Sequence, residues 1–167
     1  MAGSNTTIRI ATVVDAPAIA ELACQLGYPS TPAQAATRLA NLLGKPDHTV
    51  FIAERNPGEI IGWIHVFGLM LIESPPTAEI GGLVVDQRLR GSGTGKALIQ
   101  AARRWAMRHG FQTLWVRSNT IREKAHRFYE GEGFRRVKIQ VFFSTDIAPP
   151  EDLNRQKRYQ REEIISR

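Results

Sequence analysis

The sequence has one cysteine, Cys24, in 167 residues. A single thiol excludes a disulfide framework and a cysteine-built metal site. It fits a reducing compartment. No apolar run reaches the roughly 20 residues that a membrane helix needs. The opening stretch, MAGSNTT, lacks the basic and apolar regions of a secretory signal. The expectation is a cytoplasmic protein that neither enters nor crosses a membrane. A recognition-helix signature and a ladder of basic and aromatic residues are also missing, so nucleic acid is not an expected partner. The net charge of +6 is scattered, with small clusters at Arg103–Arg104, Arg135–Arg136 and Lys157–Arg158. A positive balance of this kind attracts anions in general, phosphorylated cofactors among them.

What the sequence does have is RGSGTGKALIQ, Arg90 to Gln100. Three alternating glycines and a lysine run into an apolar stretch, as in a loop that holds phosphate at a helix start. Glycine lets the backbone approach closely, and the free N–H groups of a helix N-terminus favour an anion. Two nucleotide templates fail on spacing. A P-loop requires G-x-x-x-x-G-K-[ST], but Arg90 stands where its first glycine belongs and Ala97 where its hydroxyl belongs. A dinucleotide fingerprint requires G-x-G-x-x-G, but counting from Gly91 and Gly93 reaches Lys96 and Leu98.

The rest of the chain reads as alternating elements of one domain. TIRIATV (residues 7–13) is a strand. Asp15 caps a helix with Pro17 in its first turn, and Gly27 ends it. Thr31 and Pro32 open a second helix that Gly44 and Pro46 end. TVFIAE and IIGWIHVF form a hairpin across NPGE. ESPPTAE reads as a loop before the strand IGGLVV. The glycine loop leads into a helix over residues 94–109, whose apolar face carries Ala97, Leu98, Ala101, Ala102, Trp105 and Ala106. TLWVRS is a strand, REKAHRFYEGEG a helix and RRVKIQVFFST a last strand. The order β-α-α-β-β-β-α-β-α-β predicts an α/β (α+β) fold. Its central sheet is mixed and mostly antiparallel, with helices on both faces and parallel pairing where helices link the strands. Residues 1–145 form the domain. Residues 146–167 form a charged tail, too polar for a core of its own, with a helix that packs on a partner as one reading. Trp63, Trp105 and Trp115 are expected in the core or in pocket walls.

Three separated stretches together resemble the GCN5-related N-acetyltransferases. In LVVDQRLRGSGTGKAL, Arg90, Gly93 and Gly95 fill the family's [QR]-x-x-G-x-[GA] acetyl-CoA loop. RSNT closes the next strand. In AHRFYEGEGF, Ala125, Phe128, Tyr129, Gly133 and Phe134 fill A-x-x-[LF]-Y-x-x-x-G-F. The resemblance covers residues 7–143. At one position the chain departs from it. Many members carry asparagine three residues before the alanine, whereas Asn119 stands six before Ala125, so its contact with the cofactor and a plain turn role both stay open.

The resemblance implies an N-acyltransferase with acetyl-CoA as co-substrate and no metal. The amides of Gly91, Ser92, Gly93, Thr94, Gly95 and Lys96 hold the pyrophosphate, with charge from Arg90 and Lys96. The backbone of Leu83, Val84 and Val85 holds the pantetheine arm, and an amide near Val85 polarises the thioester carbonyl. His126 lies near the cofactor. Tyr129 is the acid for the departing thiolate. Glu79, at the start of its strand, is the leading base, with His65 and Glu73 as rivals that otherwise line the acceptor pocket. Tyr28 stands at the pocket rim. Cys24 has no histidine partner nearby in sequence, so transfer is expected to be direct, in a ternary complex. The expected acceptor is a small-molecule primary amine, for example of an aminoglycoside or polyamine. A protein α-amine or lysine is the alternative acceptor, and a non-catalytic acyl-CoA sensor the alternative of another class. Members often pair through their last strands, so a homodimer is expected.

Overall fold

The computed structural model describes residues 6–147. They divide into two units, one ending at Gly133 and one beginning at Phe134. The first unit holds a five-stranded sheet in the order β1 (Thr7–Ile10), β2 (His48–Glu54), β3 (Ile60–Leu71), β4 (Ser74–Val85) and β5 (Leu114–Val116). Neighbours are antiparallel as far as β4, whereas β4 and β5 are parallel. The four helices are α1 (Ala16–Leu26), α2 (Pro32–Leu43), α3 (Thr94–Arg108) and α4 (Glu123–Gly131). The connections explain the pairing. One long helix, α3, joins β4 to β5 and returns the chain for a parallel crossover. Two helices join β1 to β2, and the second reverses the first, so that pair ends antiparallel.

The helices cover both faces. On one, Leu39 of α2 packs with Val50, Ile52 and Trp63. On the other, a Cβ on Gly62 would lie 3.3 Å from Leu98 of α3. Gly62 and Trp63 are adjacent, so β3 alternates between the layers as a half-buried strand must. Ile52, Ile64, Val66, Leu98 and Ile99 are fully buried, each worth about 1.5–3 kcal/mol of hydrophobic transfer.

Helix boundaries follow the capping residues. Thr31 and Gln34 exchange side-chain and backbone hydrogen bonds at the start of α2, a capping box. Gly27 ends α1 at φ 94°, and the Tyr28 N–H returns to the Ala23 carbonyl at 3.0 Å. Asp15 opens α1 while accepting two 2.8 Å hydrogen bonds from Arg9 of β1. That guanidinium holds its carboxyl below the usual range and ties β1 to the first helix.

Three elements depart from the sequence expectation. ESPPTAE is strand, not loop: β4 begins at Ser74 and only Ile72 and Glu73 turn the hairpin. Pro75 and Pro76 are tolerated because the β3–β4 register shifts beside them, and a bulge does not demand their missing N–H groups. The first strand ends at Ile10, since Val13–Asp15 coil into a short 3-10 turn. The last expected strand is not formed: residues 134–147 carry no regular secondary structure. Their Val137, Ile139, Val141 and Phe143 alternate as a strand would, yet all four are exposed. Alternation makes a strand only when a ladder partner satisfies its backbone, and the sheet of this chain does not include the segment. Most of the charged tail, from residue 148 on, lies outside the described residues.

Candidate active site

The site begins where β4 leaves β5. The two pair only from Ala78 to Ile80, opposite Leu114 to Val116. Beyond Ile80, β4 runs on to Val85 alongside β3 alone. The Asp86 N–H donates to the Ile61 carbonyl at 2.8 Å, which fixes the ladder's alternation. Trp63–Val84 and His65–Gly82 are then the hydrogen-bonded pairs, and the N–H groups of Leu83 and Val85 face outward from β3. An open strand edge with outward amides can take an extended amide-bearing chain as an added strand. Val84 itself is buried in the core.

Next along the chain comes the glycine loop. Asp86 accepts hydrogen bonds from the Arg88 N–H at 2.9 Å and from its guanidinium at 2.6 and 3.1 Å. The Arg88 guanidinium depresses the Asp86 carboxyl to about 2 and fixes the turn out of β4. Arg90 Nε donates to the Val85 carbonyl at 3.3 Å. Gly91 and Gly93 adopt φ of 84° and 87°, the left-handed region that favours glycine. A Cβ at either position would have no neighbour within 4 Å. Gly93 is the N-cap of α3, so the free N–H groups of that helix open at the loop. The Ser92 and Thr94 hydroxyls bond each other at 2.9 Å. Gly95 is small for another reason: a Cβ there would come 2.9 Å from Phe128 of α4. Lys96 lies in the first turn of α3.

The opposite end is built from side chains. The β3–β4 register shifts at Gly81, so Gly81 and Gly82 both face the α1–α2 layer, the signature of a bulge. A Cβ on Gly81 would come 2.7 Å from His65 Nδ1 and 3.1 Å from Phe67, and one on Gly82 2.9 Å from Trp63. Three rings therefore lie over bare backbone. His48 stacks on both His65 and Phe67, with centroids 5.3 Å apart, and His48 Nδ1 meets His65 Nε2 at 3.0 Å. Burial, helped by His48, lowers His65 to about 4, so it is neutral near pH 7. Trp63 Nε1 is buried without a hydrogen-bond partner among the described residues.

Glu79 pairs with Phe67 on one side and Trp115 on the other. It is 6% exposed. Its Oε2 lies 3.1 Å from Arg117 Nη2, an ion pair without hydrogen-bond geometry, and that oxygen has no hydrogen-bond partner among the described residues. Arg122 Nη2 donates to the Leu26 carbonyl at 2.8 Å, tying the start of α4 to the end of α1. Leu26 Cδ2 in turn lies 4.0 Å from a Cβ on Gly82, so the end of α1, followed by exposed Tyr28, lies over the bulge. Tyr129 of α4 is raised by burial, with Arg122 opposing, and stays a neutral phenol around pH 7.

The structure therefore brings Glu79, His65, the glycine bulge and the end of α1 together on one face. Glu73 is not among them: it turns the hairpin six residues before Glu79, about 20 Å away along an extended strand. The Val85 N–H lies six residues beyond Glu79, again about 20 Å along an extended strand. The next outward N–H towards Glu79 is that of Leu83. Asn119 acts as a turn residue, its Oδ1 accepting from the Ile121 N–H at 3.2 Å, and its carbonyl meets His126 Nε2 at 3.0 Å. Sequence reasoning missed Arg117, Arg122, His48 and Phe67. The Gly-Gly pair inside an apolar strand was a readable sign of the bulge.

The family model for the acetyltransferase (GNAT) family matches residues 16–134. The aminoglycoside N(6')-acetyltransferase type 1 of Stenotrophomonas maltophilia is 30% identical over 153 residues, covering 89% of this chain and 99% of the relative. The N-acetylaspartate synthetase of Rattus norvegicus is 29% identical over 93 residues, covering 56% of this chain and 30% of that protein. Among solved structures, the aminoglycoside 6'-N-acetyltransferase AAC(6')-Ih of Acinetobacter baumannii superposes with a TM-score of 0.77 at 17% identity, over 86% of this chain and all (100%) of that one. AAC(6')-Iy in complex with a CoA bisubstrate analogue gives 0.76 at 20% identity, over 86% and 100%. The chain belongs to the acetyltransferase (GNAT) family. It is an N-acyltransferase that uses acetyl-CoA as co-substrate. Among the described residues no helix is long and apolar enough to cross a membrane.

Proposed function

We propose that this protein transfers the acetyl group of acetyl-CoA directly to a primary amine of a small molecule. One observation carries the reading. A buried carboxylate, Glu79, with an oxygen that lacks a hydrogen-bond donor, sits where β4 parts from β5 and its amide edge opens. Arg117 pairs with that oxygen at 3.1 Å without hydrogen-bond geometry, which leaves it able to accept from an acceptor ammonium or its relaying water.

In this reading the amides from Gly91 to Lys96 hold the pyrophosphate at the start of α3, with Arg90 and Lys96 adding charge. The outward amide of Val85 holds the pantetheine arm, and that of Leu83, next to the bulge, polarises the thioester carbonyl. Glu79 takes the ammonium proton through water. The neutral amine attacks the carbonyl carbon, the C–N bond forms and the C–S bond breaks. The thiolate takes its proton from Tyr129, whose raised pKa keeps that proton in place until it is needed, and the proton that the tetrahedral nitrogen then sheds to become an amide restores the phenol through solvent. His65, held neutral, and Tyr28 border the acceptor. His126 and Asn119 latch the turn into α4 close to the cofactor. The bacterial aminoglycoside acetyltransferase that matches nearly end to end supports a small-molecule acceptor over a protein one.

The assay is release of free thiol from acetyl-CoA in the presence of a panel of amines, with the product checked by mass. Turnover with small amines and none with peptide amines is expected. Tight acetyl-CoA binding without turnover on any amine would refute the reading. We also propose a homodimer in which the exposed alternating stretch around residues 137–143 finds its ladder partner in a second copy. Light scattering at micromolar concentration should give twice the chain mass, and a monomer would refute it.

A further inference from the structure

We infer that the acceptor is zwitterionic, an amine with a carboxylate one or two carbons away, as in an amino acid, and that Arg117 is the residue that selects it. This rests on the proposed function and concerns the same site. The observation is the ion pair itself. Glu79 is buried, whereas the Arg117 side chain is 64% exposed, with Nη2 3.1 Å from Glu79 Oε2. The carboxylate is thus buried and the guanidinium reaches the surface beside it. A guanidinium has five N–H donors in a flat fork suited to a carboxylate. One contact to Glu79 leaves most of that fork for a second anion.

An amino acid carries the same two charges at a similar separation in the opposite sense. Its ammonium fits against Glu79 and its carboxylate against Arg117, which closes a ring of alternating charges. The Glu79 oxygen without a donor is then satisfied by the ammonium. Proton transfer and attack follow with the carboxylate still held. Charge-assisted and bidentate contacts of this kind are the stronger class of hydrogen bond.

A polycation fits the same place poorly. Its reacting ammonium would compete with Arg117 for Glu79, and its other ammoniums would meet the exposed guanidinium. Arg122 adds a second cation on this side, bonded to the Leu26 carbonyl and close enough to Tyr129 to act on its phenol. The two histidines here offer no compensating negative charge. Like charges brought together in a partly buried site count steeply against such a ligand. The names of two relatives, one for an aminoglycoside and one for an acetylated amino acid, show that acceptors of both kinds occur among similar proteins.

The test compares the common L-amino acids with their α-carboxamides, alongside kanamycin and spermidine, as acceptors for the full-length protein. The carboxamide amines are less basic, so chemistry alone favours them, and a preference for the acids reads recognition. At least one acid should exceed its own amide by about tenfold or more in kcat/KM, the size expected for a charged hydrogen bond, and should exceed both polycations. Arg117→Ala should abolish that preference chiefly through KM, and Arg117→Lys should retain part of it. Unchanged melting and acetyl-CoA affinity would establish that both variants are folded. Amides that match their acids, a polycation as best acceptor, or a preference that survives Arg117→Ala would each overturn the inference while the proposed function stands. Silence of every amine, the neutral and polycationic ones included, would overturn the proposed function and this inference with it.

Discussion

The C-terminal end of β4 and its middle are built differently. At its C-terminal end the chain offers backbone: outward amides at Leu83 and Val85, left-handed glycines at 91 and 93 and the open N-terminus of α3. Around its middle it offers side chains: buried Glu79, Arg117 from β5's end, rings from β2 and β3, Arg122 from α4. The first arrangement suits a ligand that every acetyl-CoA-dependent enzyme shares, because backbone geometry is indifferent to side-chain change. The second suits a ligand that differs between enzymes, because one substitution re-aims it.

The sharpest way to break this contrast is to put a side chain into the backbone end. Gly93→Val should weaken acetyl-CoA by roughly 10- to 100-fold, the loss of one or two charged hydrogen bonds, read by titration calorimetry. Nothing lies within 4 Å of a Cβ at Gly93, so the cost falls on the left-handed backbone and the anion, and the fold should survive. Gly95 does not allow so clean a test, because there the new atom meets Phe128. Unchanged affinity in Gly93→Val would remove the loop from cofactor binding.

The second substitution belongs to the side-chain end. Tyr129→Phe should lower kcat by roughly 100-fold, the lower end of general-acid effects, and leave acetyl-CoA affinity nearly intact. A wild-type kcat where chemistry limits would take Tyr129 out of the mechanism.

The smallest effect concerns stability. His65 is lowered from 6.5 to about 4 by burial and by His48. The unfolded chain therefore binds a proton that the folded one refuses across that range, and stability falls as pH drops from 6.5 towards 4. The urea midpoint of the wild type should fall more steeply over that interval than that of His65→Gln. Parallel curves would mean that the ring stack tolerates a charge.

How much of this is legible in the sequence follows from the same contrast. The glycine loop reads directly because its chemistry lies in consecutive residues, as do Gly27 and Thr31 at helix ends, whereas Asp15 stands at the start of α1 but directs its carboxylate to Arg9 and Thr12 and not to the helix. Arg117 does not read, because its meaning depends on Glu79 one strand away. The resemblance puts the thioester's amide near Val85, and six residues separate Val85 from Glu79 along an extended strand. Pro75 and Pro76 suggest a loop, but the shifted register of β4 absorbs both. The alternation from Val137 to Phe143 reads as a strand, but alternation alone supplies no ladder partner, and the described sheet does not include the segment.

The central claim is that Glu79 removes the acceptor's proton, and the pH–rate profile of Glu79→Gln tests it most directly. A base matters only while there is a proton to take. With a responsive amine at saturating acetyl-CoA, the variant should lose roughly 100-fold or more in kcat/KM near neutral pH and approach the wild type as pH passes the amine's own pKa. A loss of the same size at every pH would contradict the account and leave Glu79 a binding or structural residue.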